Sequence, residues 1–402
     1  MAGSWRQIHA WAGQTLDLVG EQVPSGRESA YAACLFHRAG GMESGREALL
    51  ERLDRVEEVL EAGGVQSESH PVFISCLIYR AMIDGDPSGD ARRRVEDALE
   101  QPKDTWSRAL IHLMASLLDS LFGQASRSRE RAEVALEGMR ACGDVWGQCN
   151  ALVQLVDVNV ATDLERCLRL LGEGIDLAEG AGLHELGVLF RTLRAQSQVE
   201  LGRSAQAEAE LDRLEGVTME DETRVALRMT RIMWLQATGD LMGARRLLDE
   251  SGVLVWGLGG FAPVYLGPSW LAMAAEIAWA EGDHERAWRE AGRSWWVSLR
   301  GAALSGVGAL EVLAGLEVEN DPVHAAVLLG YSASLRGAAN TALPRVRRLR
   351  ERLRDALGEA EADHLMARGA GTPQTRLRES VGRWLAPIVP EDVEAGDRSQ
   401  DP

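Results

Sequence analysis

Eight histidines are the first candidates for acid–base or metal chemistry in this chain of 402 residues. None of them lies in an H-E-x-x-H motif, which places two imidazoles on one face of a helix where they can bind zinc. The pair His184-Glu185 stands alone on a predicted helix, and the five cysteines contain no C-x-x-C pair. The sequence therefore predicts structural or surface histidines, no metal site and no cofactor.

A single lysine restricts nucleotide and pyridoxal chemistry. The lysine of a P-loop follows a glycine-rich turn, whereas Lys103 follows Gln101-Pro102. This context excludes a P-loop in the chain and argues strongly against a Schiff-base lysine. Ser305 lacks the glycine that stands two residues before the serine of a nucleophile elbow. We therefore expect no catalytic activity.

The charge balance disfavours nucleic acid. The chain carries 61 acidic and 43 basic residues, a formal net charge of -18, so most of its surface should repel a phosphate backbone. One segment, Arg345–Arg354, has six arginines and one glutamate, and Val346, Leu349 and Leu353 share one face of its predicted helix. This pattern indicates an amphipathic helix with its charges in water. Binding of nucleic acid or of an acidic partner segment there is the alternative.

Two aromatic segments are further candidates for ligand contact. Trp295-Trp296 lies among arginines on one predicted helix; core packing is expected, with stacking on a ligand as the alternative. The stretch 256–268, with Trp256, Phe261 and Tyr265, is the least helical part of the sequence. It predicts a long loop between repeats, with a lid over a groove as the alternative.

Helices must position these residues, because apolar side chains recur at intervals of three and four along most of the chain. Leu110, Leu113, Leu117 and Leu121 show this spacing in one segment. Alternating strand patterns are scarce. The sequence therefore predicts an all-α fold.

A turn followed five residues later by a small residue recurs at intervals of 37 to 43 residues. Weaker members near Gly41 and Gly85 extend the series toward the N-terminus. Independent domains would not keep such a period, whereas stacked helical hairpins would. The turns and the small residues that follow them are Gly123 and Ser128, Thr162-Asp163 and Cys167, Gly202-Arg203 and Ala207, Gly239-Asp240 and Ala244, Gly282-Asp283 and Ala287, and Asn320-Asp321 and Ala325.

Each unit is interpreted as a helix A, a turn and a helix B. The aspartate after the turn can cap helix B. The small residue lies in the first turn of helix B, where the two helices are closest, so we expect Ala207, Ala244 and Ala287 to be buried. About eight such units make a right-handed α-solenoid with a period near 40 residues.

The unit Gly282–Ala287 resembles the middle of the tetratricopeptide repeat (TPR), although the period here is longer than the 34 residues of that repeat. A more specific likeness covers residues 322–369. His324–Arg336 contains A-x-L-L-G-x-x-x-x-L-R, and the arginine-rich segment Leu349–Gly358 ends in A-L-G. These segments resemble the end of the repeat region in bacterial transcriptional regulators of the STAND ATPase class, of the MalT and AfsR types.

Regulators of this class also carry a P-loop ATPase domain and a DNA-binding domain. This chain has no P-loop, and the residues after Gly369 are too few for a winged-helix or LuxR-type domain. The resemblance therefore implies a sensor or interaction arm, either a stand-alone repeat protein or a fragment of a longer one. We expect the TPR-like array at 1–369, a C-terminal helix at 370–386 and an acidic, disordered tail at 387–402.

The resemblance also implies a binding face. In TPR-like arrays the A helices line a concave surface that binds peptides. The residues placed there combine apolar groups with amide and acidic groups, which suits an extended peptide or an amphipathic helix. With each turn glycine set to the fifteenth repeat position, they are Asn159, Gln196, Met229, Met233, Gln236, Glu276 and Trp279.

The sequence thus predicts a non-catalytic scaffold that binds a peptide or protein partner in transcription regulation, with self-association left open. An odd cysteine count without a signal-peptide pattern favours the cytoplasm, and the resemblance to STAND-class regulators implies a bacterial source. The most apolar stretch, 109–122, is too short to span a membrane. The alternative is an α/α-toroid enzyme, such as a glycosidase or a lanthipeptide-type cyclase. That class needs paired carboxylates in a cavity or a Cys/His zinc set, and the sequence reveals neither.

Overall fold

The computed structural model describes residues 5–39, 46–64, 70–84, 89–101, 104–258, 262–299 and 306–389. Within these ranges the chain forms 20 helices and no strand, so the prediction of an all-α fold is confirmed. In chain order the helices are α1 (Trp5–Val19), α2 (Glu28–Ala39), α3 (Arg46–Ala62), α4 (Pro71–Asp84), α5 (Asp90–Glu100), α6 (Thr105–Leu121), α7 (Ala125–Cys142), α8 (Val145–Asn159), α9 (Leu164–Gly180), α10 (His184–Glu200), α11 (Ser204–Arg213), α12 (Asp221–Thr238), α13 (Leu241–Gly257), α14 (Ala262–Ala280), α15 (His284–Ser298), α16 (Gly306–Glu317), α17 (Pro322–Arg336), α18 (Pro344–Leu357), α19 (Glu359–Ala370) and α20 (Gln374–Leu385).

The helices pack in chain order. Each helix from α1 to α18 contacts the next one along the chain. Even-numbered helices also contact one another: α2 with α4, α4 with α6, α6 with α8, α10 with α12, α12 with α14, and α14 with α16. The even-numbered helices from α2 to α8 and from α10 to α16 therefore form two runs of neighbours, and each odd-numbered helix up to α17 packs against the even-numbered helices next to it in the chain. None of the helices in the described ranges is long and apolar enough to cross a membrane.

The predicted turns lie between paired helices. Gly239 and Gly282 adopt left-handed backbone conformations, with φ of 87° and 81°, which a residue with a Cβ atom rarely adopts. The aspartates after the turns cap the helices that follow. Asp240 accepts a hydrogen bond from the backbone N–H of Gly243, and Asp283 accepts one from Arg286. The prediction that these aspartates cap helix B is therefore confirmed, and Asp163 and Asp321 act in the same way.

The small residues of the repeat are buried as expected. Ala207, Ala244 and Ala287 are all 0% exposed, which confirms their predicted burial. Ser128, Cys167 and Ala325, at the equivalent positions, are 0% exposed as well. The weaker turns near Gly41 and Gly85 lie outside the described residues.

At one of these crossings, between α6 and α7, two serine hydroxyl groups form hydrogen bonds across the helix pair. The hydroxyl of Ser128 on α7 donates to the carbonyl of Ser116 on α6 at 2.8 Å. The hydroxyl of Ser116 donates to the carbonyl of Ser128 at 2.7 Å. Both serines are fully buried, so these bonds satisfy polar atoms that would otherwise destabilise the core.

The stretch from Trp256 to Pro268 is more helical than predicted. Helix α13 continues through Trp256 to Gly257, and α14 begins at Ala262 and contains Pro268. The prediction of a long loop is therefore wrong for the described part, whereas Phe261 lies outside it. Packing explains the difference, because Trp256 meets Trp270 edge to face at 6.2 Å and Gly267 leaves room for its ring.

The last helix packs on the array. Leu377, Val381 and Leu385 of α20 are buried in a core that also contains residues of α14–α19. Beyond the helix, Val389 is 3% exposed, and its carbonyl accepts a hydrogen bond from the indole of Trp296 at 2.9 Å. Residues 387–389, assigned from the sequence to the tail, are thus held against α15, and the remainder, 390–402, lies outside the described residues.

Candidate partner-binding face

All seven residues predicted for the binding face lie on even-numbered helices. Asn159 is on α8 and Gln196 on α10. Three more, Met229, Met233 and Gln236, are on α12. Glu276 and Trp279 are on α14. The even-numbered helices therefore carry the whole predicted set.

Asn159 is the least accessible of the seven. Its side chain is 2% exposed, and its amide donates to the carbonyl of Leu155, one turn earlier in α8, at 2.6 Å. Gln196 and Gln236 are half-exposed and make no side-chain hydrogen bond to any described residue. Free amides at the surface of these helices can pair with the backbone of an extended peptide.

Helix α12 supplies the apolar part of the set. Met229 and Met233 are half-buried, and both pack against a core cluster that contains Ile232. Flexible thioether side chains at such positions adapt to differently shaped partners.

Arg345, the second residue of α18, joins three carboxylates from three helices. Its guanidinium lies 3.2 Å from Glu200 at the end of α10, 3.8 Å from Glu276 on α14 and 2.9 Å from Glu311 on α16. Burial acts to lower the pKa of Arg345, but the three carboxylates outweigh it and raise this pKa. Arg345 therefore stays charged at every accessible pH.

Glu311 is the most buried member of this acidic cluster, with its side chain 2% exposed. Burial acts to raise its pKa, but Arg336 and Arg345 outweigh burial, and the pKa lies below its usual value. Arg336 donates to Glu311 at 2.9 Å, and the amide of Asn340 donates to it at 3.0 Å. Glu311 is thus an ionised acceptor held by three donors.

The other two carboxylates are held less tightly. Burial raises the pKa of Glu200 and of Glu276, with Arg345 opposing the shift in both cases. Glu276 keeps 37% of its side chain exposed. On α8, solvent reaches Asp157, yet the surrounding protein raises its pKa to about 7. Four acidic side chains, Asp157, Glu200, Glu276 and Glu311, thus lie on the even-numbered helices α8, α10, α14 and α16.

Residues 337–345, between α17 and the start of α18, form what we call the C-terminal strap. The backbone N–H groups of Thr341 and Ala342 both donate to the carbonyl of Ala161, just after α8, at 2.9 and 3.0 Å. At the start of the strap, Gly337 lies against the backbone of Gly123, in the turn after α6. The strap therefore contacts the ends of α6, α8 and α10, far from it in the sequence.

Trp279 lies beside this region. It is half-buried, packs against the core cluster that includes Leu343 of the strap, and meets His284 at a ring-centroid distance of 4.3 Å. The structure thus brings Glu276 together with Arg345 of the strap, and Trp279 packs against the same large core cluster as Leu343. Asn159 lies next to the strap along α8, and the ion pairs that the structure shows for Arg345 are with α10, α14 and α16, not with α12.

The predicted basic helix is α18. Val346, Leu349 and Leu353 are buried, as the amphipathic pattern indicates. Its arginines differ in environment, because Arg345 faces the acidic cluster while Arg347 and Arg348 are exposed. The exposed pair leaves a local basic surface on an acidic protein.

The tryptophan cluster of α15 is core, as expected. Trp295 is 1% exposed. Trp288 meets Trp384 of α20 edge to face at 5.8 Å, and His324 meets Trp384 at 4.4 Å. These rings fasten α20 to α15 and α17 and leave little surface for stacking on a ligand.

Sequence reasoning missed Glu200, Glu311 and their arginine partners. One signal was present for Glu200, which follows Gln196 by four residues and so shares its helix face. Across the described ranges, no group of three His, Cys, Asp or Glu side chains is arranged to hold a metal ion. No family model and no curated protein sequence matches this chain.

Proposed function

We propose that the chain is a right-handed α-solenoid of about eight TPR-like hairpins and a non-catalytic scaffold for a peptide or protein partner. Two observations support the architecture. Helices contact mainly their neighbours in sequence, as in stacked repeats. The small residues at the six predicted crossings are all buried.

The observation that carries the binding role is the C-terminal strap. It is a segment without regular secondary structure up to Leu343, joined to its face by main-chain hydrogen bonds to Ala161 and by the side chain of Arg345. Main-chain bonds combined with a side chain in a specific site are how proteins commonly recognise extended peptides. A face that accepts this segment within the chain has the chemistry to accept a similar segment from a partner.

The proposed regulatory role rests on the resemblance of His324–Arg336 and Leu349–Gly358 to bacterial STAND-class regulators. In that reading, the array is the sensor or interaction arm of a transcriptional regulatory system. Its net charge of -18 favours a protein or peptide partner over nucleic acid.

A peptide selection tests the binding role. Peptides are selected from a random display library against the whole chain, and their affinities are measured for Gln236→Arg and for Gln206→Arg. Gln236 lies half-exposed on α12, whereas Gln206 is exposed on α11, in the other set of helices. An arginine at position 236 should obstruct the face, while the same change at position 206 should have no effect.

We expect the selected peptides to bind Gln236→Arg at least ten-fold more weakly than the wild type and Gln206→Arg equally well. Equal binding to both variants, with both folded by circular dichroism, would refute the proposed face.

An α/α-toroid enzyme is the second candidate, and one observation favours it. Three carboxylates, Glu200, Glu276 and Glu311, converge on one arginine, and the pKa of Glu276 is raised by burial while that of Glu311 is lowered. Opposed pKa shifts are typical of acid–base pairs. Hydrolysis of chromogenic glycosides by the purified chain, abolished in Glu276→Gln, would support this candidate over the scaffold.

A further inference from the structure

We infer that the C-terminal strap is an internal occupant of the partner-binding face, and that the partner which replaces it is a peptide segment carrying an arginine side chain. This inference rests on the proposed function and adds the chemistry of the partner and the regulation of its site.

The placement of the strap is the first step. Two of the seven predicted face residues, Glu276 and Trp279, lie against the strap or the core that it joins. A third, Asn159, is two residues before Ala161, whose carbonyl accepts both strap N–H groups. The strap therefore covers part of the face that a partner would use.

The ionic contact gives the specificity. Arg345 reaches carboxylates on α10, α14 and α16, so one guanidinium joins helices that are not consecutive. A guanidinium donates in several directions within one plane, whereas a lysine ammonium is a compact point charge. A partner that displaces Arg345 must supply an equivalent cation, because three carboxylates around an empty space would repel one another.

The ion pairs of Arg345 also allow its replacement by a side chain of a partner. Arg345 and Glu276 keep 36% and 37% of their side chains exposed, so an incoming side chain can reach Glu276 before Arg345 has left. Arg336 of α17 lies outside the strap and still donates to Glu311 when Arg345 and Asn340 depart. The buried carboxylate is therefore never left without a partner during the exchange.

Covalent attachment favours the strap over a free peptide. A tethered segment competes at an effective concentration on the order of millimolar. A partner must exceed this competition through additional contacts, for which the half-exposed Met229, Met233 and Gln236 of α12 are available. Peptides with low affinity for the face therefore do not displace the strap.

Hydrogen exchange tests the occupancy directly. The amides of Thr341 and Ala342 should exchange slowly in the wild type because both donate to Ala161. In Arg345→Ala we expect these two amides to exchange at least ten-fold faster, while amides within α7 keep their rates. Arg347→Ala, on the exposed side of the same helix, is the matched control and should leave all of these rates unchanged. If Arg345→Ala does not fold, Arg345→Lys replaces it, with an expected acceleration of several-fold.

A peptide in trans tests the chemistry of the partner. The probe is a labelled synthetic peptide that copies residues 334–348, together with a second version in which the arginine at position 345 is alanine. We expect the first peptide to bind the Arg345→Ala chain, or Arg345→Lys where that replaces it, at least ten-fold more tightly than the wild-type chain. The second peptide should bind neither chain.

Two results would overturn the inference: unchanged exchange at Thr341 and Ala342 in the arginine variant, or equal affinity of the first peptide for variant and wild-type chains. Neither result depends on the library-selected peptides. If those peptides are indifferent to Gln236→Arg while the strap opens as expected, the proposed function fails and the strap is a structural latch.

Discussion

Gly337, directly after α17, lies so close to Gly123, in the turn between α6 and α7, that a Cβ atom on Gly337 would overlap the carbonyl oxygen of Gly123. The side-chain amide of Gln374, the first residue of α20, donates to the neighbouring carbonyl of Phe122 at 3.2 Å. A backbone contact therefore joins the turn after α6 to the end of α17, eleven helices later in the chain.

Replacement of Gly337 by alanine should weaken this contact strongly. The residue has a φ of 78°, so a Cβ atom is strained there, and it would also collide with the backbone of Gly123. We expect Gly337→Ala to lower the free energy of unfolding by roughly 2–5 kcal/mol. Urea unfolding followed by circular dichroism measures the change.

The matched control is Gly239→Ala. Gly239 has a similar φ of 87°, but no atom lies within 4 Å of its Cβ position. Only the backbone strain remains, which costs about 1–2 kcal/mol. If the two variants lose the same stability, the close approach of Gly337 to Gly123 does not contribute.

The helix crossings can be tested at Ala244. The residue is 0% exposed in the first turn of α13, where its helix meets α12. Ala244→Leu should destabilise the chain by roughly 1–3 kcal/mol through overpacking. Ala237→Leu, at an exposed position of α12, should change stability by less than about 0.5 kcal/mol. Equal thermal melts for the two variants would contradict the assigned crossing.

The repeat could be predicted because each hairpin is a local unit. The signals at Gly239, Asp240 and Ala244 lie within six residues, and the φ, the cap and the burial that they indicate all depend on neighbouring helices. Local signals gave the wrong prediction at Trp256–Pro268. The glycines and prolines there predicted a loop, but contacts of Trp256 with Gly267 and Trp270 support helix almost throughout.

The acidic cluster could not be predicted in the same way. Glu200, Glu276 and Glu311 occur in three different repeats, and the periodic pattern does not say which repeats approach one another. The partner residue, Arg345, was assigned from composition to a solvated basic helix. Arg345 differs from its exposed neighbour Arg347 only because the strap returns to the ends of α8 and α10 and brings Arg345 to the three carboxylates.

The buried Asp119 makes stability depend on pH. Its side chain is 2% exposed on α6, and burial raises its pKa to about 6, although Arg131 and Arg92 act to lower it. Between about pH 4 and pH 6 the folded chain holds a proton that the unfolded chain has released. Asp119 therefore adds to the free energy of unfolding at pH 4, and this contribution, at most roughly 3 kcal/mol, is lost as the pH rises through 6.

Asp119→Asn should remove this dependence. Urea midpoints of the variant should fall less than those of the wild type between pH 4 and pH 7. Asp176→Asn, at an exposed position of α9, should follow the wild type throughout. A steeper fall for Asp119→Asn would mean that the ion pair with Arg131, at 3.0 Å, outweighs the effect of burial.

The last prediction distinguishes the even-numbered face from the basic helix as the partner site. Binding energy usually concentrates in a few large anchors, and Trp279 is half-buried one turn after Glu276 on α14. For peptides selected against the whole chain, Trp279→Ala should weaken binding by about 2 kcal/mol at both low and high salt.

The rival site is the exposed basic surface of α18. A triple replacement of Arg347, Arg348 and Arg350 by alanine removes three positive charges of α18 and keeps Arg345 in place. If a partner binds there, the triple variant should lose affinity, and high salt should weaken binding to the wild type as well, because screening acts on exposed charges. Affinities of both variants at two salt concentrations decide the matter. Loss of binding only in the triple variant, with abolition by salt, would place the partner on α18 and refute the face that contains Trp279.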